Sequence, residues 1–183
     1  MYGSRSGPPS SLNPAAFVAE LARARIGGTF NQYAASELRR SRLAAYLESR
    51  QRARTLLVGE AAGYRGARLS GIPFTSERQL SGCGPAEATA TVVHRVLAEL
   101  GIEDDVLLWN VVPTHPGTER TNRRPTRAEV AEGMQFLSEL LPGRRPIAVG
   151  RVAHGVLGGT YVRHPSHGGA AAFGAGLLLS ISR

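Results

Sequence analysis

Four short apolar runs set the rhythm of this chain. Thr55–Gly59, Val106–Val112, Pro146–Gly150 and Thr160–Val162 are continuous rather than alternating in apolar character. That pattern predicts strands buried on both faces. Helical spacing fills the intervals. Pro14–Arg25 reads as a short helix stopped by Gly27-Gly28, and Ser36 as the N-cap of a helix over Glu37–Arg54 with Leu38, Leu43 and Leu47 on its apolar side. Pro85–Leu100 carries Val92, Val93, Val96, Leu97 and Leu100 near helical spacing and ends at Gly101. Thr126-Arg127-Ala128-Glu129 is a capping box, opening a helix that runs to Leu141. Two further helices are expected over Arg151–Leu157 and Gly169–Ser180. Phe30–Tyr33, the glycine-rich stretch up to Gly71 and the proline-rich Pro113–Pro125 read as turns and loops.

Buried strands alternating with helices predict an α/β fold, a three-layer α/β/α sandwich around a central four-stranded parallel sheet. Residues 1–14, rich in Gly, Ser and Pro, read as a disordered lead-in to a single domain over 15–183. In a parallel sheet of this kind ligands sit beyond the carboxyl ends of the strands. Three polar residues fall there: Glu60 after the first strand, Asn110 within the second and His164 after the fourth.

Composition narrows the field. No apolar run approaches the roughly 20 residues of a membrane-spanning helix, and the N-terminus lacks a signal-like apolar region. A cytoplasmic monomer with no membrane partner is the plain expectation. Cys83 is the single cysteine, which excludes an internal disulfide, a cysteine-based zinc site and a cysteine-held iron–sulfur cluster. The formal charge is +8, and all 22 basic residues are arginine. A planar guanidinium suits phosphate, so a nucleic-acid partner fits. A compositional bias toward arginine is the competing reading.

Gly59-Glu60-Ala61-Ala62-Gly63 follows a strand directly, and its small residues would admit an anion or a flat ligand; a tight turn accounts for them equally. It matches neither a phosphate-binding P-loop nor a dinucleotide fingerprint. Glu60 and Glu77 are the nearby acids, each able to orient a water or face a cationic sugar, or simply to be solvated. Phe74 would either stack on a base or pin its loop to the core. Asn110 offers a donor pair and an acceptor that match a pyrimidine edge, unless neighbouring backbone satisfies it. His164-Pro165-Ser166-His167 suggests a rigid, ligand-facing loop. His115, His164 and His167 lack the spacing of a metal site, and no metal or other cofactor is expected. The Gly-x-Ser-x-Gly elbow of a serine hydrolase is missing.

Taken in order, four segments resemble the uracil-DNA glycosylase superfamily: Leu57–Gly63, Gly71–Glu77, Leu107–Val112 and His164–His167, within Thr55–Leu177. The first is similar to the bacterial and archaeal branches whose motif begins GEAPG or GLAPA. Those branches often hold an iron–sulfur cluster; with one cysteine, this chain resembles a cluster-free relative. The resemblance implies a uracil-DNA glycosylase-like fold and hydrolysis of the N-glycosidic bond of uracil, or a related deaminated base, in DNA. It implies that Phe74 stacks on the extruded base and that Asn110 reads its edge. His164 would hydrogen-bond the uracil O2, with Glu60 or Glu77 facing the sugar and a water. Gly59 and Ala61 would line the base pocket, and Ser166, His167, Arg163, Arg123 and Arg124 would meet DNA. Two positions depart from the pattern: Ala61 stands where strong members carry aspartate, and Ala62 where proline is usual. The competing reading is a nucleic-acid or nucleotide binder that keeps the fold without the reaction.

Overall fold

All four expected strands join one parallel sheet in the order β2-β1-β3-β4. The structure is a computed structural model and describes residues 12–182; most of the expected lead-in lies outside them. The strands are β1 (Thr55–Ala61), β2 (Val106–Val112), β3 (Arg145–Val149) and β4 (Tyr161–Val162). β1 pairs with β2 so that Gly59 lies opposite Asn110, and with β3 so that Leu57 lies opposite Ile147.

Eight helices surround the sheet among the described residues: α1 (Pro14–Arg23), α2 (Glu37–Ser49), α3 (Ala67–Ser70), α4 (Glu77–Ser81), α5 (Ala88–Glu99), α6 (Arg127–Leu140), α7 (Arg151–Leu157) and α8 (Ala170–Ile181). On one face, Phe17, Leu21, Leu43, Leu47 and Phe136 from α1, α2 and α6 bury Trp109. The Phe17 ring meets the Trp109 ring edge-on at 5.5 Å. On the other face, α5 and α8 bring Val93, Leu97, Phe173 and Leu177 against Leu57, Leu108 and Ile147. Each such side chain contributes roughly 1.5–3 kcal/mol by leaving water. The three-layer expectation therefore holds.

Several boundaries differ from the sequence reading. Asn13 caps α1 by accepting from the Ala16 N–H at 3.1 Å, and Pro14 supplies its first turn, so ordered structure begins within the expected lead-in. α2 stops at Ser49 rather than Arg54, because the chain must extend to pair with β3; Arg145 N–H donates to the Arg54 carbonyl at 2.7 Å. Leu38, assigned to the apolar side of α2, is exposed, while Leu43 and Leu47 are buried. α5 begins three residues after Pro85. The glycine-rich stretch contains the single turn α3, closed by Gly71 in the left-handed region at φ +81°. β1 runs two residues past Gly59, which places Glu60 inside the strand rather than after it.

Candidate active site

Sheet order and sequence order together open a crevice. The chain passes from β1 to β2 on one side, then returns to place β3 on the other side of β1. Loops leaving neighbouring strands in opposite directions leave a gap at their carboxyl ends, where ligands of open α/β sheets bind. A cleft of about 410 Å³ lies there, bordered by Glu60, Ala61, Phe74, Asn110, His164 and Ser166 among others.

Gly59 is the hinge of this geometry. In parallel strands paired residues point to the same face, so the Gly59 and Asn110 side-chain directions coincide. A Cβ at Gly59 would overlap the Phe74 ring and lie 2.7 Å from Asn110 Oδ1. Glycine here lets the aromatic and the amide close over the strand together. Asn110 is only 4% exposed, yet its amide makes no hydrogen bond within the protein among the described residues. The polar atoms of the amide open onto the cleft, where the edge of a ligand can pair with them. Phe74 holds φ +53°, a region that bulky residues seldom adopt. The loop beneath is fastened around it. Ser70 Oγ donates to the Thr75 carbonyl at 2.6 Å and also accepts from the Ile72 N–H at 3.1 Å. Thr75 Oγ1 contacts His94 Nε2 at 3.0 Å, and His94 Nδ1 contacts Glu103 at 2.8 Å. His94 thus braces the strained turn.

His164 leaves β4 and borders the cleft. Ser166 N–H donates to its Nδ1 at 3.2 Å, so the ring proton sits on Nε2. Burial, and secondarily the positive potential of His167, hold the His164 pKa below the ordinary histidine value. Both influences favour the neutral ring, and with Nδ1 accepting from the Ser166 N–H the Nε2 is the nitrogen free to donate. Ser166 Oγ lies 2.7 Å from His164 Nδ1 and 3.0 Å from His167 Nδ1, which makes it an organiser of both rings. His167 has φ +52°, the second strained non-glycine residue at the cleft.

The expected acids separate. Glu77 does not reach the cleft. It opens α4, and Arg42 Nη1 and Nη2 donate to its two oxygens at 2.8 and 2.9 Å. That fork holds its carboxyl below the usual range, and the structure places this expected catalytic acid outside the cleft that gathers Phe74, Asn110 and His164. Glu60 borders the cleft, but strand alternation turns it from the Gly59–Asn110 face. Burial raises its pKa, and the positive charge of Arg124 opposes the rise. Glu87, which sequence reasoning missed, also borders the cleft, and burial alone pushes its carboxyl upward.

The expected DNA-contacting arginines also differ in freedom. Arg123 borders the cleft, but its guanidinium is forked onto Glu129 at 2.7 and 2.6 Å. It acts as a clamp for the loop. Arg124 is exposed near the cleft. Arg163, with Arg151 and Tyr161, lines a neighbouring recess that shares His164, Ser166 and His167 with the cleft. Asn122, also missed, accepts from the Tyr64 N–H at 2.9 Å and ties the proline-rich loop to the β1–α3 loop. The His115 ring sits with its nitrogens against the Ala62 and Thr118 carbonyl oxygens, at 2.7 and 2.8 Å.

Among the described residues no three His, Cys, Asp or Glu side chains gather as a metal donor set. Cys83 is exposed and alone, so the chain cannot supply four thiolates to an iron–sulfur cluster.

A four-stranded parallel sheet between helical layers, with an aromatic, an amide and a histidine gathered at its switch point, defines the chain as an open α/β protein with a polar cleft at its strand ends. The family model described as the uracil DNA glycosylase superfamily matches residues 47–176, and the chain belongs to that superfamily. The fold is similar to the crystal structure of wild-type Pedobacter heparinus SMUG2, with a TM-score of 0.70 over 92% of this chain and 97% of that one, at 14% identity. No curated protein matches.

Proposed function

We propose that the protein is a monofunctional DNA glycosylase that hydrolyses the N-glycosidic bond of uracil or a related deaminated base. The observation that carries this reading is the convergence of Phe74, Asn110 and His164 on one cleft. A base inside a duplex is inaccessible, so it must be extruded into that cleft. Phe74 stacks on its face, and the unpaired Asn110 amide pairs with its edge. As the bond breaks, negative charge grows on the leaving base and positive charge on the sugar. His164, holding its proton on Nε2, meets the developing anion. Membership of the superfamily supports a hydrolase of this type, and the exposed Arg124 and Arg163 suit contacts with phosphates. The chain has no lysine, so no side-chain amine can form an imine with the abasic sugar. Within the superfamily, the first motif and the single cysteine support a cluster-free relative of the bacterial and archaeal GEAPG- or GLAPA-type branches.

A second reading follows from Ala61, which brings no acid to the motif: a protein that binds such DNA without cleaving the base. One experiment separates the two. Oligonucleotides carrying uracil opposite guanine, uracil opposite adenine, single-stranded uracil or a deaminated purine are scored for abasic sites. Base release is expected from at least one, falling about 10²-fold or more in Asn110→Ala and in His164→Ala. Salt-dependent binding without release from any of them would favour the binder.

A further inference from the structure

Glu87 occupies the N-cap of α5, a position where Ser, Thr, Asp or Asn ordinarily closes a helix. Its side chain makes no capping bond. It turns instead to the β1–α3 loop, where a Cβ on Gly63 or Gly66 would overlap its carboxylate oxygens. Neither glycine adopts a left-handed backbone, so what they provide is room for this carboxylate. No group among the described residues donates to it, and burial is the one influence on its ionisation. A half-buried acid without a donor is costly unless a ligand or water completes it. The faces of the sheet decide its partner. α5 packs with Phe74 on the side to which Gly59 and Asn110 point, whereas Glu60 turns to the other.

We propose that Glu87 is the catalytic carboxylate of this cleft, orienting the attacking water and facing the cationic sugar where Ala61 provides no acid. The inference rests on the glycosylase reading. In the step, the C1′–N bond breaks and its electron pair leaves with the base. A water oxygen forms the new C1′–O bond. One water proton passes to the Glu87 carboxylate and from there to solvent, while the base anion is protonated on release.

The test is single-turnover base release by the full chain on its best uracil oligonucleotide. It is compared with binding to the same oligonucleotide carrying 2′-fluoro-deoxyuridine, which resists cleavage. Glu87→Gln is expected to slow release about 10²–10⁴-fold while binding stays within about threefold of wild type. A slowing of less than about tenfold, or one matched by an equal loss of binding, overturns the assignment. Should Glu87→Gln not fold, Glu87→Ala with added formate decides: restored release supports the role, and unrestored release overturns it. A wild-type protein that releases no base fails the glycosylase reading instead, and is recognised before any variant is made.

Discussion

At the scale of single residues, the site depends on what Gly59 lacks. Its missing side chain lets Phe74 and Asn110 meet above β1. Gly59→Ala is expected to lower stability by about 1–3 kcal/mol through overpacking and to abolish base release. Thermal unfolding and the abasic-site assay check both; a variant as stable and active as wild type would refute the close approach. Gly59, Phe74, Asn110 and His164 were legible in the sequence because each sits at or near the end of an apolar strand or in a short polar loop. Glu77 and Glu87 were not. A carboxylate's partners lie far along the chain: Arg42 claims Glu77 from 35 residues away, while Glu87 faces glycines on another loop. Sequence proximity to Phe74 pointed to Glu77, which Arg42 holds outside the cleft, whereas a glutamate at a helix N-cap was the available signal for Glu87 at the cleft border.

At the scale of elements, one clamp holds the proline-rich loop to the start of α6. Glu129 completes the capping box with Thr126, accepts the fork of Arg123, and accepts from the Gly28 N–H at 3.3 Å. Chiefly through Arg123, its pKa is pulled down to about 2. A carboxylate depressed in the folded state contributes stability above its unfolded pKa and loses it as pH falls through the folded value. Acid titration of unfolding should therefore show this contribution fading from about pH 4.5 to about pH 2. Glu129→Ala is expected to remove about 2 kcal/mol at neutral pH and to flatten that acid limb. A variant with an unchanged acid profile would contradict the clamp. The capping box itself was plain in the sequence, whereas its tertiary partners were not. The same limit governs secondary structure. Long helices and buried strands announce themselves by period, but α3 and α4 span one turn each and carry no period to read. α2 and β1 shifted their ends because strand pairing, a non-local demand, overrides local propensity.

At the scale of the molecule, the order β2-β1-β3-β4 gathers side chains from distant segments at one edge. The aromatic comes from the loop before α4, the amide from β2 and the imidazole from the segment after β4. Alternating strands and helices made the layers predictable, and the resemblance of four motifs made the meeting point predictable. α1 and α2 cover the face that buries Trp109. The excess of arginine gives the whole chain a charge of +8, favourable for approach to a polyanion. If these three side chains clasp a single planar base, a crystal structure of the protein with free uracil will show it. The ring should lie flat on Phe74, with the Asn110 amide and His164 Nε2 each about 2.7–3.2 Å from its polar edge. Uracil bound elsewhere, or a cleft still empty at saturating concentration, would contradict the account.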